Sequence, residues 1–167
     1  MPRDPKQHQS DQWNKIEKHI LRSIDERGWF VMGVFQNPGD KEPGWSYSIG
    51  LFYNYHHPEI VIFGEQPELR QSMIDAIGER VREGEKFTED RSYADILGGG
   101  HYVQFRPVDV SHYEDWVNSA NWFYDWDHAS FPLLQCFYPD MTGKFPWEPG
   151  CEKWAVEAQP LLHGPKP

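Results

Sequence analysis

Apolar residues recur at helical spacing in three stretches of the chain, over residues 11–27, 67–83 and 111–124. Side chains three and four residues apart share one face of a helix, so each stretch predicts a helix with one apolar face. The third stretch opens with Ser111 and Glu114 at the spacing of a capping box. The pattern therefore predicts about three helices that pack on a common core.

Short apolar runs between turn residues predict strands at 29–36, 45–52, 60–63, 102–106 and 133–138. The strand at 45–52 alternates between large apolar residues and the small residues Ser46, Ser48 and Gly50. Alternate residues of a strand point to opposite faces of the sheet, so this strand has one apolar side and one small side.

The order of the predicted elements favours one α+β domain over residues 11–162. Helices and strands follow one another without a regular βαβ rhythm, which favours a mixed, mostly antiparallel sheet with the helices packed on it. Residues 86–100 are polar and end in three glycines, which predicts a loop. The polar ends, residues 1–10 and 163–167, are expected to be disordered.

The net charge of the chain indicates which classes of partner it can bind. Lys and Arg number 16 and Asp and Glu number 26, a net charge of -10. Such a chain repels phosphate backbones, so no nucleic acid partner is expected, and a basic protein partner suits it better. No apolar run approaches the roughly 20 residues of a membrane span. The start of the chain lacks the apolar segment of a signal peptide, so a cytoplasmic protein is expected.

The two cysteines, Cys136 and Cys151, form no CxxC motif. In a reducing compartment they predict neither a disulfide nor a structural zinc site. No phosphate-binding loop and no recognised metal-ligand spacing is present, so neither a metal nor a cofactor is expected.

Several segments occur together in a combination typical of one family. They are Gly28-Trp29, Tyr47-Ser48-Ile49-Gly50-Leu51, Pro58-Glu59-Ile60, Gly84, Gln135, Pro139-Asp140, Gly143-Lys144-Phe145-Pro146-Trp147-Glu148 and Gln159-Pro160. Together they resemble the bacterial domain-of-unknown-function family 4262, and the resemblance extends from the first predicted helix to Leu161. Ser48 stands where a threonine is expected. The family has no assigned activity, so the resemblance implies a fold and supplies no catalytic residue.

The segment 135–148 is the first candidate site. Gln135 carries an amide in an apolar strand, and such an amide needs partners, which Asp140 or a ligand could supply. Trp147 and Glu148 offer a ring face beside a carboxylate, a pairing that can hold a cation or a planar ligand. The alternative is structural, since the rings of this segment could pin the C-terminal part of the chain across the sheet.

The small side of the strand at 45–52 is the second candidate, because Ser48 and Gly50 would let a helix or a ligand approach closely. His101 follows the three glycines and could face the same pocket as an acid or base. These residues define a hypothetical pocket between the Tyr47–Leu51 strand and the segment 135–148.

Two functions follow from these patterns. The first hypothesis is a protein-interaction or ligand-binding module, and one version of it is an immunity-like protein that masks a basic partner. The alternative is a small-molecule enzyme or cofactor binder that uses the pocket described above. The sequence leaves open whether the chain catalyses a reaction and what its oligomeric state is.

Overall fold

One six-stranded sheet organises the chain, and a computed structural model describes all 167 residues. The strands are β1 (Phe30–Val34), β2 (Trp45–Ile49), β3 (Glu59–Phe63), β4 (Ser92–Tyr93), β5 (Val103–Pro107) and β6 (Leu133–Phe137). They lie in the order β1-β2-β3-β6-β5-β4. Neighbouring strands are antiparallel, except that β3 and β6 are parallel. The predicted α+β fold with a mixed, mostly antiparallel sheet is therefore confirmed.

The chain forms six α-helices rather than about three. They are α1 (Lys15–Glu26), α2 (Leu51–Tyr55), α3 (Pro67–Arg82), α4 (Tyr113–Trp116), α5 (Asn118–Phe123) and α6 (Lys153–Ala158). The helix predicted over 111–124 is divided at Val117, where a ψ of 48° leaves the helical region. The helices α2 and α6 have five and six residues, too few for a periodic pattern to reveal them. None of the six has the length and apolar character needed to cross a bilayer.

Each face of the sheet buries its own hydrophobic cluster. On one face, α3 packs Met73 and Ile77 against side chains such as Ile62 of the central strand β3. On the opposite face, residues of α1 and α5 pack against β2 and β3, with Tyr47 and Phe63 in the centre. Because side chains alternate along each strand, β3 contributes to both clusters and all five of its residues are buried.

The first long helix starts later than predicted, because Asn14 caps it. The Asn14 side-chain oxygen accepts the backbone N–H of Glu17 at 2.9 Å, and the Glu17 carboxylate accepts the backbone N–H of Asn14 at 3.2 Å. This reciprocal pair is a capping box, which satisfies two donors at the start of α1.

The start of the chain contacts the end of α5. Pro5 is buried, and the Arg3 side chain donates from Nε to the carbonyl oxygen of Trp122 at 2.9 Å. The expected disorder of both chain ends stays a prediction.

Candidate functional site

The small side of β2 holds two buried side chains of opposite charge. The Ser48 hydroxyl donates to Glu59 Oε1 at 2.7 Å, and the Ser46 hydroxyl accepts from Arg70 Nε at 2.9 Å. The exposed fraction of Glu59 is 0%, and that of Arg70 is 2%. A buried charge destabilises a fold unless its partners are complete. The hydrogen-bond partners of Glu59 and of Arg70 therefore show whether each charge is fully satisfied inside the fold.

Glu59 begins β3 and caps the start of α2. The backbone N–H groups of Gly50 and Phe52 donate to its Oε2 at 2.8 and 3.3 Å, and that of Leu51 donates to Oε1 at 3.1 Å. The Tyr124 hydroxyl also donates to Oε2. With Ser48, the carboxylate has five donors and no access to solvent.

The environment of this carboxylate acts on its protonation in two ways. Burial raises the pKa of Glu59, and the hydrogen bonds from Tyr124, Ser48 and the α2 backbone oppose that shift. Burial and the charge of Glu59 raise the pKa of Tyr124, so its hydroxyl keeps its proton as a donor.

Gly50 allows α2 to turn onto Glu59. Its φ of 117° lies in the left-handed region that glycine adopts without strain. A Cβ at this position would lie 2.9 Å from the carbonyl oxygen of Gly28 and 3.0 Å from the side chain of Ile24. The close approach predicted at Gly50 is therefore made by the chain itself, on the α1 side.

Arg70 binds backbone carbonyl groups at the other end of β2. Its Nη1 donates to the carbonyl oxygens of Gly64 and Glu65, both at 3.0 Å, and its Nη2 donates to that of Val34 at 3.4 Å. With the bond to Ser46, four of its five N–H groups have acceptors and one on Nη2 has none.

Every acceptor of Arg70 is neutral. None of the ion pairs in the molecule includes this side chain. Burial lowers the pKa of Arg70, with nearby Tyr138 and Glu68 opposing the shift. A guanidinium nevertheless stays protonated in proteins. Arg70 is therefore a buried cation without an ion-pair partner.

Arg70 lines an open cleft of about 510 Å³. The walls come from the segment that joins β1 to β2, from the turn between β3 and α3, and from α6. The side chains at its rim include the rings of Phe35 and Trp154 and the charged groups of Lys41, Glu65 and Glu157. We call this feature the Arg70 cleft.

The position of Arg70 in the sequence indicates that its side chain is buried, although the hydrophobic pattern by itself does not single it out. Arg70 precedes Met73, Ile74 and Ile77 by three, four and seven residues, so it lies on the buried stripe of α3. Charged residues are almost never fully buried unless they are paired, so a charged residue on the buried stripe of a helix predicts a side chain with specific partners.

The predicted residue Asp140 organises the segment that leads to α6. Its Oδ1 accepts the backbone N–H groups of Thr142 and Lys144 at 2.8 and 2.9 Å, and its Oδ2 accepts that of Glu152 at 2.7 Å. Burial raises the pKa of Asp140, but the hydrogen bond from the Thr142 hydroxyl and these backbone hydrogen bonds outweigh it and hold that pKa well below its usual value. The Glu152 carboxylate in turn accepts the indole N–H of Trp154. Asp140 thus helps to hold Trp154 at the Arg70 cleft.

Trp147 and Glu148 pack within the same segment. The Trp147 ring is stacked on Phe145 with 5.2 Å between centroids, and the Arg106 guanidinium carbon lies 3.7 Å from the Trp147 centroid. The Glu148 carboxylate accepts the backbone N–H of Phe145 at 2.7 Å. Both predicted residues therefore have partners inside the chain.

The two remaining predicted residues, Gln135 and His101, lie in different surroundings. Gln135 donates from Nε2 to the carbonyl oxygen of Pro160 at 2.6 Å, and its buried Oε1 has no partner. His101 lines an open groove of about 420 Å³ together with Gly143 and Phe145. His101 thus shares a groove with the predicted segment, whereas the predicted residues of β2 are closed against Glu59.

Two further buried titratable groups, His57 and Cys136, lie away from the Arg70 cleft. His57 Nδ1 donates to the carbonyl oxygen of Pro58 at 2.8 Å, and Nε2 accepts the backbone N–H of Phe87 at 3.0 Å. Burial lowers the pKa of His57 and raises that of Cys136, so both stay neutral. No group of three or more His, Cys, Asp or Glu residues is placed to hold a metal ion.

Comparison with known proteins identifies the family. A family model described as Domain of unknown function (DUF4262) matches residues 23–152, which is more than half of the chain. The chain therefore belongs to this family, and the resemblance seen in the sequence is confirmed. No curated protein and no solved structure matches the chain.

Proposed function

We propose that this chain is a ligand-binding module that holds an anionic group of a small molecule in the Arg70 cleft. The observation that supports it is the buried guanidinium, which has no carboxylate partner, keeps one N–H without an acceptor and lines an open cleft. An anion there would form a charge-assisted hydrogen bond and supply the missing counter-charge. Lys41 adds a second positive charge at the rim.

Binding has more support here than catalysis does. The residues around the Arg70 cleft include no histidine, cysteine or serine, so the cleft has no imidazole base and no hydroxyl or thiol nucleophile. The enzymatic alternative would have its place in the groove at His101, where an imidazole lies beside the segment 135–148.

A basic protein partner is a second candidate, and an acidic cleft beside the first one supports it. This acidic cleft has a volume of about 540 Å³ and is lined by the carboxylates of Asp40, Glu42 and Asp115. The ammonium group of Lys166 lies 2.7 Å from Asp115 Oδ2, which shows how a lysine can dock there. Lysine or arginine side chains of a partner would compete with Lys166 for this position.

The anion site can be tested by NMR titration of the ¹⁵N-labelled protein with sodium acetate, at ionic strength held constant with chloride. We expect shifts in the Arg70 Nε–H signal and in the backbone signals of Gly44, Gly64 and Glu65, which surround the guanidinium. The shifts should weaken in Lys41→Ala, which changes the rim only, and disappear in Arg70→Lys.

A matched control is Arg22→Met, which removes an exposed cation of α1 outside the cleft. This variant should bind acetate like the wild type. Shifts that spread over all basic residues, or that persist in Arg70→Lys, would overturn the proposal. If Arg70→Lys fails to fold, Lys41→Ala decides the question: weaker shifts than in the wild type support the proposal, and shifts of the same size overturn it.

A further inference from the structure

Two exposed rings stand at the rim of the Arg70 cleft. Phe35 is 66% exposed and Trp154 is 42% exposed, and they reach the cleft from different elements, the end of β1 and α6. The other large rings of the molecule mostly pack against each other, but neither Phe35 nor Trp154 contacts another aromatic ring. Exposed rings without ring partners, around a cleft, are typical of a surface that binds a ligand.

Both rings are tied to the groups that define the cleft. Arg70 Nη2 donates to the carbonyl oxygen of Val34, and Phe35, the next residue along the chain, lines the same cleft. On the other side, the indole N–H of Trp154 donates to the Glu152 carboxylate, and the Glu152 backbone is held by Asp140 at 2.7 Å. Hydrogen bonds therefore hold Trp154 at the cleft, and Phe35 adjoins a residue that contacts the guanidinium.

We propose that the ligand of the Arg70 cleft is an aromatic monocarboxylate, a small planar acid whose carboxylate meets Arg70 and whose ring packs between Phe35 and Trp154. This inference rests on the proposed function and adds the chemistry of the rest of the ligand. A volume of about 510 Å³ is enough for an acid with one or two rings. Offset or edge-to-face contacts with the two rings would favour an aromatic group over an aliphatic group of similar size.

The rim charges exclude a second negative group. Glu65 and Glu157 also line the cleft, and both side chains are exposed. A dicarboxylate bound to Arg70 would place its second charge near these two carboxylates, where like charges repel. One negative charge with an apolar ring beyond it is therefore the class that the cleft fits.

The inference can be tested by comparing four probes on the wild-type protein by NMR titration: acetate, cyclohexanecarboxylate, benzoate and phthalate. We expect benzoate to bind most tightly, about three- to tenfold more tightly than cyclohexanecarboxylate, which has the same charge and a similar size but no aromatic ring. Acetate should bind more weakly than both, and phthalate more weakly than benzoate.

Two tryptophan variants give matched controls. Trp154→Ala should reduce the affinity for benzoate by about three- to tenfold and leave the affinity for acetate nearly unchanged. Trp126→Ala removes a tryptophan that is 53% exposed outside the cleft and should change neither affinity. Phe35→Ala should behave like Trp154→Ala.

The outcomes separate this inference from the proposed function. If acetate and benzoate bind equally well in an Arg70-dependent manner, the anion site stands and the aromatic ligand is overturned. Benzoate affinity that is unchanged in both Trp154→Ala and Phe35→Ala also overturns it. If neither acid binds, or if binding does not depend on Arg70 or Lys41, both proposals are overturned.

Discussion

Glu59 and Arg70 are both buried, both charged and both bonded to a serine of β2, yet their surroundings differ. Glu59 has five donors, and no part of it reaches solvent. Arg70 has four neutral acceptors, one free N–H and an open cleft beside it. The two serines are only two residues apart on the same side of one strand.

The difference teaches how to separate a structural charge from a binding charge. A buried charge with complete partners gains nothing from a ligand, so the Glu59 network is explained by the fold that it holds together. A buried cation without a counter-charge gains from any anion that can reach it. Four measurements test this contrast.

Removal of the Glu59 carboxylate should have the largest effect. Glu59→Ala leaves two hydroxyl groups and three backbone N–H groups buried without an acceptor. We expect the free energy of unfolding to fall by about 3–5 kcal/mol, the range for breaking a buried charged network. Urea denaturation measures this change.

The isosteric variant Glu59→Gln serves as its control. It keeps one carbonyl acceptor and should lose less stability than Glu59→Ala, while acetate binding at the Arg70 cleft stays as in the wild type. A loss below about 1 kcal/mol in Glu59→Ala, the range for one ordinary hydrogen bond, would contradict the closed network.

Arg70→Met should come second and should change two properties at once. The carbonyl groups of Gly64 and Glu65 and the hydroxyl of Ser46 lose their donor, so stability should fall by roughly 2–4 kcal/mol. In the wild type, acetate should raise the free energy of unfolding in proportion to the logarithm of its concentration, and in Arg70→Met it should have no such effect. If acetate still stabilises Arg70→Met, Arg70 is not the binding charge and its contrast with Glu59 is wrong.

Removal of a single hydroxyl oxygen, from Ser48 or from Ser46, tests the same contrast. The Ser48 hydroxyl donates to Glu59 and accepts the backbone N–H of Ile60 at 2.9 Å, so Ser48→Ala removes two bonds from a closed site. We expect a loss of about 1–3 kcal/mol for Ser48→Ala and about 0.5–1.5 kcal/mol for Ser46→Ala, which removes one bond to Arg70. Equal losses in thermal denaturation would show that the two ends of β2 do not differ in this way.

The last prediction concerns the pH dependence of the free energy of unfolding at His57, which lies two residues before Glu59. Burial lowers the pKa of His57 in the folded protein below its ordinary value of 6.5. Below that pH the unfolded chain binds a proton that the folded protein refuses, so the contribution of His57 is complete above about pH 6.5 and is lost as pH falls. One proton limits the change to about 1.4 kcal/mol per pH unit.

The matched variant for this effect is His57→Gln, which cannot titrate. The pKa of Glu59 is raised from its ordinary value of 4.5, so its contribution is lost as pH rises, opposite to that of His57, and only the difference between wild type and variant isolates His57. We expect the stability of the wild type to fall more steeply than that of His57→Gln between pH 7 and pH 5. Identical slopes in urea denaturation would contradict the role of burial at His57.

Local patterns predicted the long elements well. The apolar stripes placed α1 and α3, the alternation placed β2, and Gly84, whose φ is 101°, follows the end of α3 as expected. The local patterns were wrong where an element depends on hydrogen bonds to residues far away in the sequence. The strand predicted over 45–52 ends at Ile49, because the N–H groups of the next residues bind the Glu59 carboxylate and form α2 instead. The loop predicted over 86–100 contains the two-residue strand β4, which exists only because it pairs with β5.

The sequence indicated less about the candidate site than it did about the fold. The predicted residues Ser48, Gly50, His101, Gln135, Asp140, Trp147 and Glu148 stay predictions as ligand-binding residues. The position of Arg70 on an apolar stripe was available from spacing, but the absence of its counter-charge was not. That absence depends on which groups the turn between β3 and α3 brings to the guanidinium.

The sequence by itself determined the α+β class, the central strands, the two long helices and the membership of the family. These depend on periodicity and composition, which each segment carries alone. The tertiary structure alone shows that the small side of β2 contacts a fully enclosed carboxylate and a buried guanidinium beside an open cleft. The reason is that a buried charge is satisfied by groups far away in the chain, and their arrangement exists only after the sheet has assembled.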